Sequence, residues 1–281
     1  MSDPLALLPL ALAAGGGRWG SFDAAQLAAA GLTLLQRSAP LVRALAGKRS
    51  AILLPDGPAV LVALAASDGR GAVLLDRKAS PASIADQLAD AAVGAVFTVA
   101  ALAPRLPDDM PVVLLDDAPR TACVIVPGRR MDVDLGSHHG IALEGDTATE
   151  GRDEECIAVY APSGRRTVRT HRELIADARA AVAALLLTPV DHVLCLLPYH
   201  DPEALAVCVA APLMAGARVS VLTPRPDGDA VAHVSAAAER DGVSMLAGRW
   251  HTDTGVRVTA YSLGHGAAEL RHGRLILDAS D

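Results

Sequence analysis

Lysine is almost missing from this chain. Lys48 and Lys78 are the only two in 281 residues, the other side chains of positive charge are arginines, and no lysine follows position 78. Any mechanism that needs a lysine in the second half is thereby excluded. Aromatic residues make up 2 %, too few for base-stacking platforms or aromatic cages. Positive charge is in deficit, with a net charge of -7 and an isoelectric point near 5.7, which argues against nucleic acid and anionic membranes as partners. Long uncharged apolar runs are also lacking, and none reaches the ~18 residues that span a bilayer. The apolar run Leu5–Ala14 follows Asp3 and no basic residue, so it is not read as an export signal. Cys123, Cys156, Cys195 and Cys208 form no CxxC pair and sit mostly in apolar runs. They are read as inert core thiols of a cytoplasmic protein.

Apolar residues are plentiful, at 51 %, enough for a sizeable core. They come as short runs alternating with longer Ala-rich segments, the pattern of an α/β protein with largely parallel sheets. In the first part a helix is expected over Asp23–Ala46. The runs Ala51–Leu54, Ala72–Leu75, Gly94–Val99, Pro111–Leu115 and Ala122–Val126 read as strands, with helices over Ala59–Ser67 and Pro81–Ala91. The second part repeats the rhythm with strands Cys156–Ala161, His192–Leu197, Ala217–Leu222 and Val243–Ala247. Its helices are expected at His171–Leu187, Pro202–Ala215 and Asp229–Arg240. Pro202–Ala215 is apolar nearly all round, so it should lie between layers. The polar, Gly-rich stretch between them leads us to expect a first α/β lobe over 1–127, a linker over 128–155 and a second lobe over 156–281.

Few motifs carry chemistry. GxSxG, HExxH, GxxxxGK and GxGxxG are absent, and Gly15-Gly16-Gly17 follows no strand. His138-His139 lack the spacing that turns two rings toward one ion, so no metal is expected. Ser163 has no evident base partner, which leaves a hydrolase without support. The informative segment runs from Tyr160 to Leu174. It is expected to join a strand to a helix through a turn at Ser163-Gly164, where backbone N–H groups can converge on an anion. Thr170 and Glu173 fit a capping box. Arg165, Arg166, Arg169 and Arg172 crowd a helix start that the macrodipole makes unfavourable for cations, which an anionic partner or a neighbouring acidic chain would explain.

The same segment resembles the phosphate loop of the AMP-forming adenylating enzymes, a superfamily that includes acyl-CoA synthetases, peptide-synthetase adenylation domains and luciferases. That loop reads approximately Tyr-Thr-Ser-Gly-Thr-Thr-Gly-x-Pro-Lys-x-Val-x-x-Thr-His-x-x-Leu. Here Tyr160, Ser163-Gly164, Thr170-His171 and Leu174 match its two ends, and the Thr-Thr-Gly-x-Pro-Lys centre is missing. Thr188–Leu222 resembles the segment that follows in the family, including Leu197-Pro198-Tyr199-His200, and Ile52–Val99 resembles its opening lobe. The similarity spans roughly residues 20–250.

The resemblance implies two α/β lobes packed as one N-terminal domain. It also implies a degenerate phosphate loop at Ser163, Gly164, Arg165, Arg166 and Thr167, a substrate pocket bordered by Tyr199 and His200, and ATP, AMP or CoA as candidate ligands. The family's loop lysine and its Tyr-Gly-x-Thr-Glu segment have no counterpart before Asp281. The sequence also ends before the positions of the family's ribose-binding Asp and small C-terminal domain. Adenylation relies on positioning and electrostatics, and loss of one such group costs ~10²–10³ in rate. The expectation is therefore a truncated, catalytically inactive homologue that binds another protein, with an acidic surface as the candidate partner. A nucleotide-, CoA- or acyl-binding module and one chain of a split ligase remain the alternatives, since function resides in sites rather than folds.

Overall fold

Side chains that cap helices set most of the element boundaries. The computed structural model describes residues 17–67, 71–136, 155–160, 164–201, 204–222, 230–252, 255–262 and 274–276. β1 (Arg18–Trp19) and β2 (Phe22–Asp23) lead into α1 (Ala24–Arg37), whose first amides at Ala25 and Gln26 donate to the Asp23 carboxylate. The single helix expected over Asp23–Ala46 is two. Pro40 lacks an N–H and would clash with the preceding turn of a continuous helix, and Ser38 caps a new start, α2 (Ala39–Ala44), by accepting from Leu41 N–H.

Next come β3 (Arg49–Leu53), α3 (Pro58–Ala66), β4 (Ala72–Leu74), α4 (Pro81–Asp90) and β5 (Val93–Thr98). Ser80 caps α4 ahead of Pro81, as its sequence implies. β6 (Val112–Leu115), β7 (Thr121–Val126), β8 (Arg129–Asp134), β9 (Glu155–Tyr160) and β10 (Arg166–Thr170) follow, then α5 (His171–Leu185) and β11 (His192–Cys195). A π-helical stretch, Leu205–Ala210, runs into α6 (Ala211–Ala215). Pro212 supplies the cause, because its ring displaces the carbonyl one turn back and the chain widens ahead of it. β12 (Arg218–Val221), α7 (Ala230–Asp241), β13 (Met245–Thr252), β14 (Gly255–Ser262) and β15 (Arg274–Ile276) complete the described chain.

The strands form two sheets. The first has the order β10-β9-β4-β3-β5-β6-β7-β8, parallel from β9 to β6 and antiparallel at both ends. The second has the order β14-β13-β11-β12-β1-β2, with β15 also on β13 and a parallel centre from β13 to β1. The sheets do not divide at 128–155. β9 and β10 belong to the first sheet, and β1 and β2 to the second. Cys156–Val159 is buried on both faces, which only an interior strand provides, and the free flank of β4 supplies that position. Nor is Arg129–Asp134 a linker. It is an edge strand that buries Val133 and turns charges outward, which discourages pairing with another chain.

Alternation along each strand builds five layers. Ala51, Leu53 and Val73 face Ile84 and Leu88 of α4 on the outside of the first sheet. Leu194 and Leu246 face Val234, Ala237 and Ala238 of α7 on the outside of the second. Between the sheets, one apolar cluster joins Ile52, Phe97 and Val159 to Val193 and Val219 through α1, α3, α5 and the 205–215 helix. Helices covered on both sides must be apolar all round, which is why α3 and the described residues 204–215 carry almost no polar side chain. Among the described residues no helix is long and apolar enough to cross a membrane.

α1 and α3 cross in contact at Gly31, where an added Cβ would lie 2.4 Å from the Val62 carbonyl oxygen and 2.5 Å from Ala65 Cβ. Gly31→Val is therefore expected to destabilise the fold by about 1–3 kcal/mol, read as a lower urea midpoint at constant slope. An unchanged midpoint would contradict this crossing.

Candidate functional site

β3, β4 and β9 run parallel, so their carboxyl ends emerge along one edge of the first sheet. β11 of the second sheet delivers its own carboxyl end there, and in open α/β sheets this edge is where ligand crevices form. The turn after β3 presents Asp56, the turn after β4 presents Asp76 and Arg77, and the segment after β11 presents Tyr199, His200 and Asp201.

These groups meet. Tyr199 N–H donates to Asp56 Oδ1 at 2.8 Å, and Arg77 Nη2 donates to Asp56 Oδ2 at 3.1 Å. Arg105 donates to the backbone carbonyls of Arg77 and Ala79, which fixes the turn that carries Arg77. Lys78 N–H donates to Asp76 Oδ1 at 2.8 Å, and His200 Nε2 lies 3.8 Å from the same oxygen. Trp19 Nε1 donates to the Tyr199 hydroxyl at 2.9 Å.

The structure separates the two residues expected at a substrate pocket. Tyr199 is 2 % exposed, and burial raises its phenol well above the usual range, helped by the neighbouring Cys195 and Cys208 and opposed by the Trp19 hydrogen bond. Its ring packs within the core. His200 is half-buried and keeps its imidazole partly in solvent.

Of the expected phosphate-loop residues, Ser163 lies outside the described residues. Gly164 is exposed with φ +78°, a left-handed conformation that suits glycine. Arg165 is exposed beside it. Arg166 and Thr167 open β10, pairing with Tyr160 and Val159 in an antiparallel hairpin. The expected strand–turn–helix is thus a hairpin followed by a helix. The β-branched Thr167, Val168 and Thr170 favour a strand here, and the capping box at Thr170 marks the helix that follows it.

The capping box forms as expected. Glu173 N–H donates to Thr170 Oγ1 at 3.2 Å, and Thr170 N–H donates to Glu173 Oε2 at 2.9 Å, which holds the Glu173 carboxyl below its ordinary pKa. Tyr160 faces away from the crevice and donates to Asp90 Oδ2 at 2.6 Å. Burial and Asp90 push its phenol up to about 12.

The arginines of this segment answer to acids of the same chain. Arg166 Nη2 lies 3.7 Å from Glu155 Oε1, Arg49 pairs with the other oxygen of Glu155, and Arg169 Nε lies 3.9 Å from Asp177 Oδ2. Burial and the Arg166 charge both lower the pKa of Arg49. Sequence reasoning missed Trp19, Asp56, Asp76, Arg77 and Glu155. Asp56 lies in Pro55-Asp56-Gly57-Pro58, a pattern that by itself signals only the turn closing a strand. Among the described residues no three His, Cys, Asp or Glu side chains converge as a metal ion requires, and His138-His139 lie outside them.

A second polar cluster sits at the amino edge of the second sheet. His192 Nδ1 lies 3.0 Å from the Asp241 carbonyl oxygen and so carries the proton, which leaves Nε2 to accept from Ser220 Oγ at 2.8 Å. Ser244 Oγ donates to Asp191 Oδ1 at 2.9 Å. Burial lowers the His192 pKa, opposed by the Asp241 carbonyl and aided by the Arg218 charge.

Two outcomes follow from these clusters. Tyr199→Phe leaves the Trp19 indole N–H buried without an acceptor and should cost about 1–3 kcal/mol in urea unfolding. An unchanged stability would contradict the hydrogen bond. For His192, folding disfavours the charged imidazole. Its contribution is fully present above the unfolded pKa of about 6.5 and is lost as pH falls through the lower folded value. Stability should therefore decline as pH falls below about 6.5, and His192→Gln should flatten that decline. Equal slopes in the two proteins would refute the assignment.

No family model matches the sequence, and no curated protein matches it. Solved structures do. The nonribosomal peptide synthetase FmoA3, in its α-methyl-L-serine-AMP bound form, aligns with a TM-score of 0.58 at 20 % identity, over 85 % of this chain and 26 % of that one. Unliganded O-succinylbenzoate coenzyme A synthetase from Bacillus subtilis aligns with a TM-score of 0.59 at 18 % identity, over 88 % and 50 %. Apo MatB from Rhodopseudomonas palustris aligns with a TM-score of 0.54 at 20 % identity, over 77 % and 42 %. The chain thus spans between a quarter and a half of the length of these structures. What the likeness establishes is the architecture: this chain has the α/β fold of the N-terminal domain of the AMP-forming adenylating enzymes.

Proposed function

We propose that this chain is a non-catalytic homologue of the AMP-forming ligases that works by binding another protein rather than by activating a carboxylic acid. The observation that carries the reading is the state of the carboxyl edge. Where a substrate crevice would open, Asp56, Tyr199 and Trp19 are bonded to one another, and Tyr199 is buried. The described part of the hairpin, where the resemblance places the phosphate loop, supplies no lysine, and two of its arginines are matched by Glu155 and Asp177. The partner surface we propose is the outer side of this hairpin, where Arg165 is exposed. Arginine forks bind carboxylates without a preformed backbone cradle, so an acidic protein surface fits. The four free cysteines suit a reducing compartment such as the cytoplasm.

A nucleotide ligand is the second reading. It is favoured by the left-handed Gly164 at this edge and by the structural neighbours, since the Bacillus subtilis synthetase was also solved with ATP and magnesium.

Pyrophosphate exchange into ATP reports the adenylation half-reaction alone and separates these readings from a ligase. None is expected with any carboxylic acid. Exchange above background that disappears in His200→Ala would overturn the proposal. In a thermal-shift series with ATP, AMP and CoA, the protein-binding reading expects no rise. A ligand held at 100 times its Kd stabilises by ~2.7 kcal/mol, so a rise with ATP or AMP in the absence of exchange would select the nucleotide reading.

A further inference from the structure

The opposite, amino edge of the first sheet holds a groove of about 620 Å³, within the range of small-molecule sites. It forms where α2 and α4 end and β3 begins. Val42 and Ala46 line one side, Ala91 and Ala92 the other, and Lys48 and Arg49 lie between them.

Three observations mark it as built for a ligand. First, the stem of the exposed Lys48 passes close to Gly94. A Cβ on Gly94 would lie 2.1 Å from the Ala44 carbonyl oxygen and 3.0 Å from both Cβ and Cδ of Lys48, so the lysine stem lies against bare backbone. Second, the ammonium of Lys48 has no ion-pair partner among the described residues, whereas Arg49 beside it is taken by Glu155. The carboxylate of Asp90, at the end of α4, accepts from Tyr160. Third, Ala92 has φ +50°, a left-handed conformation that is strained for an alanine. A glycine would relieve that strain but would remove the methyl group from the groove wall. Four carbonyls at the two helix ends are already bonded within the chain. Those of Arg43, Leu45, Gln87 and Ala89 accept from the amides of Ala46, Lys48, Ala91 and Ala92.

We propose that this groove binds a small organic anion with one anionic end and a compact apolar body. The anion pairs with the Lys48 ammonium, and the body lies against Val42, Ala46, Ala91 and Ala92. The site is at the opposite edge from Asp56 and Tyr199, so it stands or falls independently of the proposed function.

Isothermal titration calorimetry with hexanoate tests it, with hexan-1-ol as the uncharged control and inorganic phosphate as the control without an apolar body. The native chain should bind hexanoate saturably, and both controls at least about tenfold more weakly. Lys48→Gln should weaken hexanoate by about tenfold or more, and Lys48→Arg should retain most of the affinity. Ala46→Phe, at an exposed position, should block the groove without touching the charge. Added salt should weaken binding, as expected of a surface ion pair. The proposal is overturned if hexanoate shows no saturable binding to the native chain, or if Lys48→Gln binds it equally well. Phosphate binding as tight as hexanoate would also overturn it, because the apolar body would then contribute nothing. Should Ala46→Phe fail to fold, the Lys48 pair of variants decides alone.

Discussion

The carboxylate of Asp56 connects the two halves of this molecule. It stands after β3 of the first sheet and accepts the backbone amide of Tyr199, which follows β11 of the second sheet and lies 143 positions away. Its other oxygen takes the Arg77 guanidinium, and Arg105 fastens the turn that carries Arg77. Hydrogen bonds to a charged group contribute about 1.5–3 kcal/mol each, and this carboxylate is only 11 % exposed, so solvent screening is modest. With the Tyr199 backbone fixed, its ring is set in the core and its hydroxyl is placed to accept from Trp19. One acidic side chain thereby orders the ends of three strands and the N-terminal strand pair.

Much of the architecture was legible because it depends on local pattern. The runs at Ala51, Val73, Val96, Ala158 and Leu194 are strands, and the caps Ser80 and Thr170 start helices where their chemistry requires. The all-apolar character of residues 204–215 gave their burial between layers. What was not legible depends on distant pairing. Nothing near Glu155 says that its strand will pair with β4, 85 positions earlier, on the flank opposite the β10 strand that follows it. The same holds for Trp19, whose strand pairs with Arg218–Val219.

The candidate site divides in the same way. Its location at the strand ends followed from the order of motifs, and Gly164 and Tyr199 lie at that edge. Its state did not follow. Arginines 166 and 169 read as unmatched charges because Glu155 and Asp177 become their neighbours only once the hairpin and α5 have folded. Tyr199 read as a pocket wall because neither Asp56 nor Trp19 is near it in sequence. The frame depends on apolar periodicity and the site on a few polar contacts, so a fold can be legible where its site is not.

Hydrogen exchange at the Tyr199 amide, compared between the native chain and Asp56→Ala, tests the role of that carboxylate most directly. The account predicts that protection of this amide falls by about ten- to a hundredfold in the variant, while the interior amides of β3 and β5 keep theirs. A Tyr199 amide equally protected in both proteins would contradict it.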